Sequence, residues 1–417
     1  MKLTRTLLAG AALTLFVAGW ACHSTANGAK TRWYKGNTHT HTLWSDGDGA
    51  PELVVDWYRE NGYDFLALSD HNVLSRGERW FPIAESTRLT PERVAELEAK
   101  FGPLELRERE GKREMRLRTL DELRASFERA GEFLLIEAEE ITDRSGAAEV
   151  HINALNLSEA IAPRGGATAR EAIERNLAAI EAEAARSGKP TLAHINHPNY
   201  KWSLTWEDIA HVAAERFFEV YNGHPAVHNA GDATHASMEE LWDRGLVLRL
   251  RELGLPVFYG VATDDAHGYH RWGVGQVNPG RGWVVVRAAE LTPEALVLAM
   301  KRGDFYASSG VEIADFSHDA RRYRVAIEAE AGVSYTTKFV GARAAGDAVV
   351  LQETTSNPAE YRLRGDELYV RAVVTSSKPH PNPCEAGDFE QAWLQPFAPR
   401  GAVAPSSAGA TSAPAGR

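Results

Sequence analysis

Histidines and carboxylates recur in short clusters, each at the end of an apolar, strand-like run. Asn37-Thr38-His39-Thr40-His41 comes first, with Ser45-Asp46-Gly47 just behind it. Ser69-Asp70-His71-Asn72, Glu139-Glu140-Ile141-Thr142, His151-Ile152-Asn153, His197-Pro198-Asn199 and Asp264-Asp265-Ala266-His267 follow. Imidazole and carboxylate together suit Zn²⁺, Mn²⁺ and Fe²⁺, and several such groups converging imply more than one ion. A buried charge must be paired or bound to metal, so a core has no other use for this many ionisable groups. By residue type alone, the set points to a multinuclear metallohydrolase.

Such groups act only if the chain brings them together. Between residues 35 and 309 apolar β-rich runs alternate with helical ones. Strands are expected near residues 63–69, 133–136, 150–155, 191–195, 217–221 and 256–261. Helices are expected near 51–60, 120–130, 168–186, 205–214, 237–253 and 292–302, the first with Pro51 in its opening turn and Gly62 as its stop. This alternation predicts an α/β fold on a parallel sheet. Nearly all the clusters lie at the C-terminal ends of strands, the face on which (β/α) barrels build their active sites, so an irregular (β/α) barrel is expected over residues 33–309. Residues 76–118 are Arg/Glu-rich and lack a clear period except near 91–100, and they read as a solvated insertion or a lid. From 310 to 397 short alternating β runs suggest a small β-rich C-terminal domain, and 398–417, rich in Ala, Pro, Ser and Gly, reads as a disordered tail.

The chain has 417 residues, 44% of them hydrophobic and 25% charged, with a net charge of −11, which argues against a broad nucleic-acid surface but leaves anionic substrates open, because bound metal can invert the local field. Lys2 and Arg5 followed by a short apolar stretch to Ala21 read as a signal peptide over residues 1–21. Cleavage after Ala21 and lipidation of Cys22 both remain open, so the protein is expected to be exported, periplasmic or secreted, and to meet a membrane only through a lipid on Cys22. Cys22 and Cys384 are the two cysteines, too few for a disulfide framework or a thiolate cluster.

The motif series H-x-H, S-D-G, S-D-H, E-I-T, H-I-N, N-H-P and D-D-A-H resembles the PHP (polymerase and histidinol phosphatase) superfamily of metal-dependent phosphoesterases. The segments around Tyr34–His39 and Glu219–Pro225, with the ending Ala392–Pro396, resemble its exported CehA/McbA-type branch. The resemblance implies that His39, His41 and Asp265 hold a first ion, that Glu140 bridges to a second completed by His151 and His197, and that Asp46, His71 and His267 hold a third. It thus implies two to three divalent ions, Zn, Mn or Fe. In two-metal enzymes such ions lower the pKa of a shared water and clamp the oxygens of an in-line displacement. The leaving oxygen also needs a proton or a positive charge, and His224, His270 and Lys201 are the candidates. Asp70 and Asp264 adjoin ligands and are expected to orient imidazoles.

A single strand histidine is more often structural than a ligand, and for His194, His211, His228 and His235 that reading is preferred. For nine converging groups it is poor. The expected function is therefore an exported phosphoesterase acting on a small, anionic phosphate mono- or diester. Hydrolysis of a carbamate, ester or amide by the same centre is the alternative, because both transition states place negative charge on oxygen. A metal- or carbohydrate-binding protein and a polymerase-associated exonuclease are the remaining rivals.

Overall fold

The computed structural model describes residues 31–399; the signal-peptide reading, Cys22 and nearly all of the expected tail lie outside them. The chain runs β1 (Arg32–Asn37), α1 (Pro51–Glu60), β2 (Phe65–Leu68), then an insertion of β3 (Trp80–Pro82), α2 (Pro91–Phe101), β4 (Leu106–Arg109) and β5 (Lys112–Arg116). α3 (Leu120–Phe127), β6 (Leu134–Ser145), β7 (Ala148–Leu155), α4 (Ala169–Ser187), β8 (Leu192–Ile195), α5 (Trp206–Ala210), β9 (Phe217–Asn222) and α6 (Met238–Leu248) follow. After one π-helical turn at Arg249–Leu253 come β10 (Tyr259–Thr263), β11 (Trp283–Ala288), α7 (Pro293–Lys301) and β12 (Phe305–Ser308). The last strands are β13 (Ile313–His318), β14 (Arg322–Ile327), β15 (Tyr335–Arg343), β16 (Val349–Thr354), β17 (Ala359–Arg362), β18 (Glu367–Pro379) and β19 (Phe389–Phe397).

Helix starts follow local chemistry. Thr90, Thr119, Thr168, Thr205, Ser237 and Thr292 each accept a backbone N–H of the first turn that follows. Among the described residues, no helix is long and apolar enough to cross a membrane.

Thirteen strands form one mixed sheet in the order β10-β9-β8-β7-β6-β2-β1-β11-β12-β19-β18-β15-β16. Its site-bearing part, β10 to β1, is mostly parallel: β1–β2, β2–β6, β8–β9 and β9–β10. The sequence-based expectation of parallel strands throughout fails at β6–β7 and β7–β8, which are antiparallel. Only Gly146 and Ala147 separate the paired Ser145 and Ala148, and a two-residue connection makes a hairpin, never a crossover. The run curls until its edges meet just beyond the strand ends. There Thr40 bridges Ala266, His41 N donates to Ala266 O, and Asp265 N donates to His39 O, each bond 3.0 Å. Elsewhere β1 pairs with β11, so the ladder does not close along its whole length.

Inside the curl, side chains on one strand face change from apolar to ionisable toward the C-terminal ends: Ile136, Ala138, then Glu140; Leu192, then His194; Phe217, then Glu219. α7 covers the apolar end through Leu296, Val297 and Met300. Residues 310–397 are β-rich as their pattern suggests; β19, β18, β15 and β16 extend the same sheet, while β13, β14 and β17 form a separate three-stranded sheet. β19 pairs with β12, and Gln395 of β19 both donates to and accepts from the Gly260 backbone of β10 (2.9 and 3.0 Å). The described residues form one compact unit, because strand pairing, which composition does not reveal, ties the two segments together.

Candidate metal centre

Six chain segments deliver the nine expected ligands to one place. His39 and His41 follow β1, Asp46 lies in the loop before α1, His71 follows β2, and Glu140 and His151 sit within the β6–β7 hairpin. His197 follows β8, while Asp265 and His267 follow β10. Two of them, His197 (φ 27°) and Asp265 (φ 48°), take the left-handed backbone that L-residues rarely adopt, a strain that clusters at functional sites.

The inner ligands are almost fully buried. His39 Nε2 lies 3.2 Å from both His41 Nε2 and Asp265 Oδ1, and His41 Nε2 lies 3.2 Å from the same Oδ1. Glu140 occupies the middle: Oε1 is 3.1 Å from His151 Nδ1, 3.3 Å from His197 Nε2 and 3.5 Å from His39 Nε2, and Oε2 is 2.7 Å from His71 Nδ1 and 3.5 Å from His41 Nε2. At the outer edge, Asp46 Oδ1 lies 3.2 Å from His267 Nε2 and 3.4 Å from His71 Nε2. Four groups can each hold an ion: His41/Asp46/His71/His267, His39/His197/Asp265, His39/His41/Glu140 and His71/Glu140/His151.

The imidazoles are aimed by partners on their other nitrogens. His39 Nδ1 donates to Glu219 Oε1 (2.7 Å), His267 Nδ1 donates to the Asp265 carbonyl (2.8 Å), and His41 Nδ1 lies 3.2 Å from Ser45 Oγ. Ser45 Oγ itself donates to Asp70 Oδ1 (2.6 Å), so it accepts from His41. Each of these three rings therefore turns Nε2 toward the cluster, as metal-binding histidines do. Asp70 thus acts on His41 through Ser45 and also holds Thr42. Asp264 does not meet the expectation of orienting an imidazole: it accepts the backbone N–H groups of Gly280, Arg281 and Gly282 and the Tyr58 hydroxyl, fixing the loop before β11.

Charge sets the protonation. Burial opposes charge on His39, yet Asp265, Glu219 and Glu140 raise its pKa well above the usual value. Burial likewise opposes charge on His71, and Glu140 and Asp46 overcome it, raising the pKa to about 11. Burial pushes His41 down to about 3, helped by His267. For Glu140, burial would raise the pKa, but His71, His151 and His39 hold it well below the usual carboxylate range. Cations at these positions would replace imidazole protons. One orphaned atom fits that reading: His151 Nε2 is buried without a hydrogen-bond partner, and a buried polar atom without one calls for an ion or a water. The donor set, nitrogen and carboxylate oxygen without thiolate, suits Zn²⁺, Mn²⁺ or Fe²⁺.

Of the three proton-donor candidates, His224 stands beside the cluster, its ring 5.6 Å from that of His267. Its Nδ1 accepts the Ala226 N–H (3.0 Å), and burial lowers its pKa to about 4, so at neutral pH the ring is neutral and carries its proton on Nε2. Lys201 is at the rim, exposed and paired to Glu149 (3.1 Å). His270 does not join the cluster; its charged neighbours are Asp48, Arg93 and Glu96, on the Asp46 loop and the insertion.

Neighbouring carboxylates and histidines separate clearly. Glu137 is bound by the Arg76 guanidinium, and Glu139 accepts the Ile161 N–H (2.5 Å), leaving Glu140 alone to face inward. His194 is fully buried beneath the cluster, its Nδ1 4.0 Å from Glu219 Oε1. His211 bonds the Glu207 carbonyl, and His228 and His235 stack on Trp202.

Sequence reasoning missed Glu219. Its Oε1 accepts from His39 and from Thr263 Oγ1 (2.7 Å each), and its Oε2 accepts from His197 N (2.7 Å) and Asn222 Nδ2 (2.8 Å). A carboxylate inside the apolar run Phe217-Phe218-Glu219-Val220-Tyr221 was the available signal. Asn196, donating to Glu140 Oε1 (2.8 Å), was also missed.

No family model and no curated protein matches the chain. Among solved structures it is similar to a two-domain protein from Bacteroides vulgatus described as containing a predicted PHP-like metal-dependent phosphoesterase, at 16% identity over 88% of this chain and 95% of that one, with a TM-score of 0.38. It is also similar to a candidate metal-dependent phosphoesterase from Bifidobacterium adolescentis (15% identity, 57% and 88% coverage, TM-score 0.27). A third is an amidohydrolase from Chromobacterium violaceum with bound sulfate and no metal (15% identity, 56% and 88% coverage, TM-score 0.28). Function is therefore read from the geometry of the site.

Proposed function

We propose that this chain is a metal-dependent hydrolase of the PHP type that holds up to three divalent ions and cleaves a small phosphate mono- or diester. One observation carries the reading: nine histidine and carboxylate side chains from six segments meet with Glu140 at their middle, Nε2 of His39, His41 and His267 being turned inward by partners on Nδ1. In this reading His39, His41 and Asp265 hold the first ion. Glu140 joins it to a second on His151 and His197, and Asp46, His71 and His267 hold the third. Such ions supply a nucleophilic hydroxide at neutral pH and stabilise negative oxygen in the transition state.

The chain's own groups supply the rest. Glu219 and the Ser45–Asp70 pair keep Nε2 of His39 and His41 free of protons once cations are present. His224 offers its Nε2–H to an oxygen of the substrate. Tyr200, with its ring 5.2 Å from His197 and 6.3 Å from His224, walls the same side.

Carbonyl hydrolysis is the second reading, and one observation favours it. Of the four cations that could greet a phosphate, three are already engaged, Arg76 by Glu137, Lys201 by Glu149 and Arg79 over the Trp44 ring, and Arg271 alone is exposed without an ion pair among the described residues. Turnover by metal-analysed protein decides between the two, with p-nitrophenyl phosphate and bis-p-nitrophenyl phosphate set against p-nitrophenyl acetate and an aryl N-methylcarbamate. Dominant, chelator-sensitive phosphate turnover supports the first reading, and dominant ester or carbamate turnover supports the second. No turnover of either class by ion-loaded protein would leave a binding protein. Export through residues 1–21 belongs to the same proposal, and N-terminal mass analysis of the secreted protein tests both cleavage and lipidation of Cys22.

A further inference from the structure

Asp46 differs from the other expected ligands. Its side chain is 56% exposed, whereas those of His39, His41 and Glu140 are at most 1% exposed. Besides the imidazoles, no side chain among the described residues holds it firmly: Ser45 Oγ is 3.4 Å away and gives its proton to Asp70. The loop itself must therefore place this carboxylate, and the loop is gripped by the insertion. One guanidinium, Arg88, donates through Nη2 to Ser45 O (2.8 Å) and through Nη1 to Gly47 O (2.5 Å), straddling Asp46. Just upstream, Leu43 and Trp44 are buried among Leu89, Val94, Met115 and Leu117 of the insertion, and Trp44 Nε1 donates to Arg118 O (2.9 Å). Just downstream, Arg93 lies 3.7 Å from Asp48. The loop also has no slack toward the centre, since a Cβ on Gly47 would come within 2.6 Å of the His41 backbone.

We infer that the 76–118 insertion is a clamp for the outermost ion, and that Arg88 is the positioning residue that fixes Asp46 for it. This rests on the three-ion reading above. The fork matters because a planar guanidinium satisfies two carbonyls at a set spacing, whereas an ammonium is a single point donor. Without it the carbonyls on both sides of Asp46 lose their shared donor, while the inner ligands keep theirs, His39 on Glu219 and His41 on the Ser45 hydroxyl that Asp70 holds. The insertion thus sets how many ions the centre keeps.

The test measures ions rather than turnover. Wild type, Arg88→Ala and Arg88→Lys are stripped, titrated with Mn²⁺ or Zn²⁺ against a chromogenic chelator, and analysed for bound metal after gel filtration. Wild type is expected to load three ions. Both variants should keep two at wild-type affinity and bind the last at least about tenfold more weakly, the usual scale for loss of a group that orients a ligand. Near-UV circular dichroism checks the fold, and if Arg88→Ala does not fold, Arg88→Lys decides alone. Three ions at wild-type affinity in a folded variant would overturn the clamp and leave the metal centre intact. Fewer than three in wild type would overturn the three-ion reading, and the clamp with it.

Discussion

Replacing Glu219 by Gln changes one atom and leaves the shape alone, yet the surrounding bonds cannot accommodate it. Glu219 is fully buried and accepts four hydrogen bonds, two per oxygen. A glutamine has one acceptor oxygen and one donating NH₂. If its oxygen faces His39 and Thr263, its NH₂ confronts the N–H of His197 and the amide of Asn222. Asn222 cannot turn over without losing the bond its Oδ1 accepts from His224 N (2.8 Å). If instead the NH₂ faces His39, the imidazole must move its proton to Nε2, the atom that should hold metal. In the first orientation two bonds to a charged group are lost, at about 1.5–3 kcal/mol each, and in the second all four bonds lose the carboxylate charge, so the metal-free protein should lose up to roughly 3–6 kcal/mol. Metal affinity should fall about 10–100-fold, the scale seen when a group that orients a ligand is removed. Thermal melts of the metal-free protein and competitive metal titration measure the two effects separately. Wild-type affinity together with an unchanged melting temperature would refute the assignment of Glu219 as the anchor of His39.

Changing His39 and His41 together to Ala should remove most bound metal and activity while circular dichroism shows a folded protein; wild-type turnover would rule out this centre. Glu215→Gln should act through pH. Burial raises the Glu215 pKa to about 8 from 4.5, so the folded state holds a proton that the unfolded state releases as pH rises between those values, and stability falls across that window. The variant should therefore gain nothing at pH 4.5 and on the order of 3 kcal/mol at pH 7 by denaturant melts, while an equal gain at both would refute the shift. Deleting residues 316–417 should give insoluble protein rather than a free metal-binding domain. Trp393 stacks on Tyr221 (centroids 5.4 Å apart), and Arg371, 1% exposed, binds Asp243 (2.7 Å) and Glu239 (3.1 Å), so the cut strips aromatic burial and leaves two partly buried carboxylates without their cation. A soluble, metal-loaded truncation would show that the segment before residue 316 folds by itself.

Much of this protein was legible in its sequence because it is written locally. Helix starts follow from Thr and Ser caps, and α1 from Pro51 to Glu60 runs as its periodicity predicts. The ligand motifs after β1, β2, β8 and β10 stand at strand ends, as the apolar runs before them suggest, whereas Glu140 and His151 lie within β6 and β7. Tertiary structure decided what depends on pairing between distant segments. It chose Glu140 over Glu137 and Glu139 by giving those two Arg76 and the Ile161 N–H as partners. It brought Glu219 beneath His39, 180 positions away in the chain, and turned Asp264 to a backbone loop instead of a ring. It joined four strands of the β-rich end to the main sheet and set the other three in a sheet of their own, because a strand's pattern shows which face is buried but not which neighbour it pairs with. The insertion, whose charged sequence reads as solvated, folds as a three-stranded sheet with one helix whose few apolar residues enclose Leu43 and Trp44. Sequence thus determined which groups could bind metal; only the packing of separate segments decided which of them face one another, since hydrogen-bond partners far apart in the chain leave no periodic trace.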